Sequence, residues 1–227
     1  MSIPSLKELR KTADILIFDL DGTILDSMNV WNQVDIDFLG RRGFEVTPEY
    51  TEAVTTLCLR DAADYTKKSF NLYEEPDQII QEWNDMVSEY YQQHIELKEG
   101  VREYLTRAKK EGFVLAAATA LSREHAVPCL VRCSIHGLFN SVITLDDIGS
   151  RADKSDPAIY IRAMEKAGGN DPARVVVYED VPVCLGGAKS GGFKTCIVWD
   201  DIGISRYDWD EVCKTSDYSL RSFSEAQ

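Results

Sequence analysis

No apolar run in the chain approaches the ~20 residues of a membrane-spanning helix, and the opening stretch MSIPSLKELRKTAD is polar and amphipathic rather than built like a secretory leader. A cytoplasmic protein without a membrane partner is the expectation. Basic charge is short as well: 25 Lys and Arg stand against 38 Asp and Glu, for a formal net charge of −13. That excludes a broad basic face for nucleic acid, though backbone N–H groups, one lysine and a metal are enough to bind a single phosphate group. Histidine is scarce, and His94, His125 and His136 have no spacing that makes a zinc site. The six cysteines contain no C-x-x-C pair. Cys129 and Cys133 lie four apart in a predicted helix, which leaves metal ligation open, but buried free thiols are the expected reading. Internal repeats and low-complexity segments are absent.

What remains is a chain of 227 residues, 44% hydrophobic, long enough for one α/β domain and a small accessory domain. Its organising stretch is ILIFDLDGTILDS, Ile15 to Ser27. Ile15, Leu16, Ile17 and Phe18 run without a polar break, as in a strand buried on both faces of a parallel sheet. Side chains of an extended segment repeat with period two, so Asp19 and Asp21 can point to one side. Gly22 then lets the chain turn, at the strand end where open α/β sheets bind ligands. Asp and Gly are also ordinary turn formers, so the tetrapeptide alone does not decide between a turn and a site.

Helical spacing takes over from Met28 to Arg42, with Gly43 as its stop, and further helices are predicted from Thr47-Pro48, from Leu59-Arg60-Asp61 and from Glu75-Pro76 to about His94. From Lys98 onward strands and helices alternate. Strands are predicted over Phe113–Ala118, Ser141–Thr144, Arg174–Tyr178 and Lys194–Val198, and helices over Lys98–Glu111, Ser122–Cys133, Asp156–Ala167 and Val181–Ser190. This alternation predicts an α/β fold, a doubly wound parallel sheet with right-handed crossovers.

The string DxDGTxxDS resembles the nucleophile motif of the haloacid dehalogenase superfamily, in particular its Mg-dependent phosphatases and phosphomutases. Three later strand ends fit the same resemblance in order: Thr119 in AAATA, Lys154 in DKSDPAIY, and Glu179-Asp180 after the apolar Val175–Tyr178, followed by AKSGGFKTCIVWD. Cys184 departs from it, standing where many relatives have glycine. The resemblance implies a Rossmann-like core over 1–27 and 98–227, with an inserted α-helical cap over 28–97. It implies an aspartyl-phosphate mechanism in which Asp19 is the nucleophile and Asp21 the general acid and base. It further implies that Thr119, Leu20 and Ala120 bind phosphate oxygens and that Lys154 offsets charge. Mg²⁺ would be held by Asp19, the Asp21 carbonyl, Asp180 and Glu179. The expectation is a monomeric hydrolase acting on a small phosphate ester.

Subclass follows from the same positions. Dehalogenases of the superfamily lack the second acid, and its transport ATPases carry lysine and threonine where Leu20 and Asp21 stand. The helically capped β-phosphoglucomutases are the nearest alternative, but their histidine on the first cap helix falls at Trp31 here. Hydrolysis is expected over phosphoryl relocation. A non-catalytic phosphate-binding protein with this fold is expected to have lost one of the positions above, and none is substituted. In the cap, Trp31 and Arg60 are candidates to meet the substrate, though a core tryptophan and an exposed surface arginine are common on helices.

Overall fold

The computed structural model describes residues 2–55, 59–149, 154–202 and 207–226. They divide into two compact units, Met1–Met28 with Ile95–Gln227, and Asn29–His94. In chain order the elements are α1 (Leu6–Leu9), β1 (Ile15–Phe18), α2 (Val30–Gly40), α3 (Pro48–Thr55), α4 (Leu59–Phe70), α5 (Pro76–Gln93), α6 (Val101–Lys110), β2 (Val114–Thr119), α7 (Arg123–Arg132), β3 (Ser141–Thr144), α8 (Ala158–Lys166), β4 (Val175–Glu179), α9 (Pro182–Ser190), β5 (Lys194–Val198), α10 (Trp209–Thr215) and β6 (Tyr218–Leu220).

Six parallel strands form one sheet in the order β3-β2-β1-β4-β5-β6. β1 is central because all four of its residues are apolar and buried. Each such side chain contributes about 1.5–3 kcal/mol relative to exposure. Strand parity then sorts the layers. Ile15 and Ile17 of β1 and Val175 and Val177 of β4 pack with Ile159, Tyr160, Ala163 and Met164 of α8. On the other parity, Phe18 stacks on Tyr178 with ring centroids 4.4 Å apart, and Tyr104 of α6 meets Phe18 edge-on.

The doubly wound parallel sheet agrees with the sequence-based expectation, and the differences are local. α6 begins at Val101 rather than Lys98, because Gly100, its N-cap, adopts φ +79°, a left-handed conformation that cannot lie within a right-handed helix. A Cβ there would also overlap the backbone of Ser224. β6 and α10 went unpredicted, since Tyr-Ser-Leu is too short to show a period. Cys58 lies outside the described residues; the other five cysteines are free thiols, with Cys129, Cys133 and Cys196 buried.

The second unit consists of α2, α3, α4 and α5. α2 buries Val34, Phe38 and Leu39, and α5 buries Ile79, Trp83, Met86 and Val87. Phe38 meets Trp83 edge-on at 5.6 Å between centroids. Arg42 covers Phe38 at 3.7 Å from its ring centre while pairing with Glu74 and Glu82. No described helix is long and apolar enough to cross a membrane.

Candidate active site

Parity at the end of β1 decides where Asp19 goes. Its N–H continues the ladder to the Tyr178 carbonyl at 3.0 Å, so it keeps the register of Ile15 and Ile17 and faces the α8 layer. Glu179 ends β4 on the parity of Val175 and Val177, toward the same layer. Lys154 precedes α8, whose start is fixed by Asp156 accepting from the Ala158 N–H at 2.8 Å and by Pro157 at the N-cap. Its ammonium therefore reaches both acids, donating to Asp19 Oδ1 and pairing with Glu179 Oε1. All three side chains are buried.

Asp180 follows β4 and joins them. Ligand oxygens of Asp19, Glu179 and Asp180 lie within 4.8 Å of one another, the sole cluster of metal-ligating side chains among the described residues. The Thr23 hydroxyl sits between two of them, 3.3 Å from Asp19 Oδ2 and 3.1 Å from Asp180 Oδ1. Gly22, at φ +72°, clears the space, since a Cβ there would overlap the Asp180 carboxylate and lie 2.8 Å from its Cγ. Asp21 is held by the Ser27 hydroxyl, which donates to Oδ1 at 2.6 Å.

The electrostatics follow from burial. Burial pushes the Glu179 carboxyl up to about 8 although Lys154 opposes the rise, and burial together with the Asp19 charge pushes Asp180 up to about 7. Burial also opposes charge on Lys154, but Asp19 and Glu179 outweigh it and hold the ammonium above its ordinary value. Two buried oxygens, Glu179 Oε2 and Asp180 Oδ2, have no hydrogen-bond partner. Buried acceptors without a donor are rare and costly, and a bound cation is a partner that fits both oxygens. Three carboxylates against one ammonium leave two negative charges when all are ionised, the deficit that one divalent ion fills. An all-oxygen donor set suits a hard cation.

The remaining sequence-based candidates fall into two groups. Thr119 ends β2, buried, its Oγ1 accepting from the Leu121 N–H at 3.0 Å. That is the turn-closing role of an ordinary threonine, and the hydroxyl proton is not spent in it. Leu20 is buried and its carbonyl closes the turn by accepting from Ile24 and Leu25 N–H at 2.9 and 2.8 Å; Ala120 is exposed. Trp31 and Arg60 belong to the helical unit. Trp31 is 49% exposed, so it is not a core tryptophan. Arg60 is ion-paired with Asp77 and lies 3.9 Å from Asp64.

Three participants were missed as such. Thr23 and Ser27 stand inside the DGTxxDS string, where the local turn already accounts for short polar residues. Tyr160 donates to Glu179 Oε1 at 2.8 Å; on α8 an aromatic at helical spacing reads as core.

A family model described as haloacid dehalogenase-like hydrolase matches residues 16–198. Pyrophosphatase PpaX from Halalkalibacterium halodurans is 25% identical over 184 residues, covering 81% of this chain and 82% of its own. Hexitol phosphatase B from Escherichia coli K12 is 24% identical over 189 residues, covering 80% and 82%. Among solved structures, a candidate β-phosphoglucomutase from Thermotoga maritima superposes with a TM-score of 0.82 at 20% identity, covering 94% of this chain and 96% of its own. At that identity the superposition shows the fold alone.

Proposed function

The chain belongs to the haloacid dehalogenase-like hydrolases, and from that premise we propose that it is a Mg²⁺-dependent phosphatase that hydrolyses a small phosphate monoester through an aspartyl-phosphate. The observation that carries the proposal is the buried cluster of Asp19, Glu179 and Asp180 with two oxygens lacking a partner beside Lys154.

A phosphate monoester is anionic and hydrolyses very slowly unaided, so the site must neutralise charge and supply a nucleophile. Asp19 attacks phosphorus with a carboxylate lone pair, forming a P–O bond as the ester P–O bond breaks. Asp21 gives its proton to the departing alkoxide oxygen. Water then attacks the aspartyl-phosphate; Asp21 takes its proton, and Asp19 and inorganic phosphate are released. Ser27, bound to Asp21 Oδ1, orients that carboxyl for both steps. Thr119 uses its unspent hydroxyl proton, and Leu20 and Ala120 their N–H groups, on phosphoryl oxygens. Lys154 holds Asp19 in place and offsets charge. The residues that would hold the ion are Asp19, the Asp21 carbonyl, Asp180 and Glu179, and bound Mg²⁺ supplies charge neutralisation at the phosphoryl oxygens.

The helical unit is read as the cap that selects the substrate. Trp31 offers a half-exposed indole face to a sugar or other leaving group, whereas Arg60 reaches an anion only by giving up Asp77. The names of the relatives span pyrophosphate and hexitol phosphates, and neither substrate is carried over to this chain. Trp31 favours hydrolysis over phosphoryl relocation: an indole has one donor, no acceptor and no titration near neutral pH.

The test is phosphate release from p-nitrophenyl phosphate with Mg²⁺, using wild type and Asp19→Asn. Wild-type turnover should stop with chelator, return with Mg²⁺ and fall to background in the variant. With β-glucose 1-phosphate and a trace of the bisphosphate, free phosphate should exceed glucose 6-phosphate. Full activity in folded Asp19→Asn would exclude the mechanism, and rapid glucose 6-phosphate formation would replace hydrolysis by mutase chemistry.

A further inference from the structure

Lys98 stands outside the carboxylate cluster, yet its ammonium has three oxygen partners: the Gly22 carbonyl, the Trp199 carbonyl at 2.9 Å and Asp200 Oδ2 at 2.8 Å. An ammonium has three protons, so its donor capacity is filled. Gly22 follows β1, and Trp199 and Asp200 follow β5. These two strands flank β4, which delivers Glu179 and Asp180. One side chain thus ties together the loops on either side of the acidic pair. Its anchor is firm, because Asp200 is buried and its Oδ1 accepts from the Ile202 N–H at 3.0 Å.

The backbone of Lys98 is fixed too. Its N–H bonds to the Ile24 carbonyl at 3.0 Å, the Asp26 N–H bonds to the Glu96 carbonyl at 3.0 Å, and Leu25 and Leu97 pair as an antiparallel bridge. The loop that carries Asp21 is therefore laced to segment 96–98. Within that loop Gly22 is the soft point, since glycine populates many conformations and here sits at φ +72°. The peptide plane before it, which bears the Asp21 carbonyl, is held by the Gly22 N–H on the Leu25 carbonyl at 3.1 Å. The plane after it is held by Lys98 on the Gly22 carbonyl. With both planes fixed, the torsions of Gly22 are fixed, and so is the aim of Asp21.

We infer that Lys98 is a positioning residue for Asp21, acting through the Gly22 carbonyl with Trp199 and Asp200 as its anchor. This rests on the reading of Asp21 as the general acid and base. Its ammonium is spent on Gly22, Trp199 and Asp200, so on this reading its loss should impair the chemical step more than binding. A displacement of about 1 Å in a reacting group costs up to about 10²-fold in rate.

The experiment uses the full chain as Lys98→Met, Lys98→Arg and the double variant Lys98→Met/Asp200→Asn, which leaves no unpaired buried carboxylate. With p-nitrophenyl phosphate and Mg²⁺, kcat should fall about 10- to 10²-fold in Lys98→Met and in the double variant, with KM nearly unchanged and partial recovery in Lys98→Arg. Hydrogen exchange of residues 22–25 should quicken in both Met-bearing variants while β1 and β4 stay protected. Wild-type kcat in the folded double variant, or unchanged protection of 22–25, would overturn the inference. If the wild type itself releases no phosphate, the phosphatase reading fails, and the exchange comparison still decides whether Lys98 holds the loop.

Discussion

The Tyr160 hydroxyl donates to Glu179 Oε1 at 2.8 Å, and both residues are buried. The same oxygen pairs with Lys154. With Oε1 engaged by two donors, the carboxylate is rotated so that Oε2, which has no partner, is the oxygen left for a cation. Tyr160 thus sets the orientation of an acid of the proposed metal site.

Tyr160→Phe tests that relationship, because it keeps the ring in the α8 core and removes one hydroxyl. Losing a hydrogen bond to a charged acceptor costs about 1.5–3 kcal/mol; Lys154 remains on Oε1, which places the loss at the lower end. The expected outcome is a Tm lower by about 3–6 °C and Mg²⁺ affinity weaker by about 10-fold, read by scanning and titration calorimetry. Unchanged Mg²⁺ affinity would remove Tyr160 from the site.

Much of this arrangement was legible in the chain, for a physical reason. Asp19, Thr119 and the Glu179-Asp180 pair each end an apolar strand, and Lys154 precedes a Pro-started helix, so local pattern places all of them on one edge of a parallel sheet. What local pattern cannot carry is contact across layers. Tyr160 meets Glu179 only because the facing parities of β4 and α8 coincide. Lys98 was predicted inside a helix, and Gly100 instead leaves it ahead of the helix, its side chain on the Gly22 carbonyl. Thr23 and Ser27 were visible as letters of the motif but have a sufficient local explanation as turn residues. Trp31 ran the other way: helical spacing favoured the core, and the structure leaves it half exposed.

Gly22→Ala should be disproportionately harmful for one small methyl. At φ +72° an L side chain is strained by about 1–2 kcal/mol, and the new Cβ overlaps the Asp180 carboxylate. The expected result is a lower Tm together with weakened Mg²⁺ binding, since Asp180 must move. An alanine variant with wild-type Tm and wild-type Mg²⁺ affinity would show that the loop relaxes without touching Asp180.

Metal binding should also stabilise the protein in the absence of substrate. Glu179 Oε2 and Asp180 Oδ2 are buried without donors, and a cation that binds only the folded chain adds about 2.7 kcal/mol at a hundredfold excess over Kd. For a chain of this size that raises Tm by about 5–10 °C. Asp19→Asn removes one of the three charges and should shrink the shift. An Mg²⁺-independent Tm in the wild type would argue against the cluster as a metal site.

The helical unit holds a separate titrating element. Burial pushes the Asp35 carboxyl up to about 6, with a hydrogen bond from Tyr50 opposing the rise. Proton counting agrees. Tyr50 Oη lies 3.2 Å from Asp35 Oδ1 and 2.8 Å from Thr66 Oγ1, which in turn donates to the Ala62 carbonyl at 2.8 Å. Three hydrogen bonds need three protons, and the two hydroxyls supply two. With Asp35 ionised, Tyr50 donates to it and the Tyr50–Thr66 contact is left without a proton; a proton taken up by Asp35 frees the Tyr50 proton for Thr66. Because the folded pKa is raised, the stabilisation is fully present below the ordinary aspartate range near pH 4, is lost as pH rises from there to about 6, and stays lost above it. Asp35→Asn supplies the third proton at every pH, from its amide. The variant should therefore melt higher than wild type above pH 6, with the advantage vanishing toward pH 4, as read from Tm at half-unit steps. A Tm difference constant from pH 4 to 8 would mean that Asp35 does not titrate in this window and that the chain of donors runs another way.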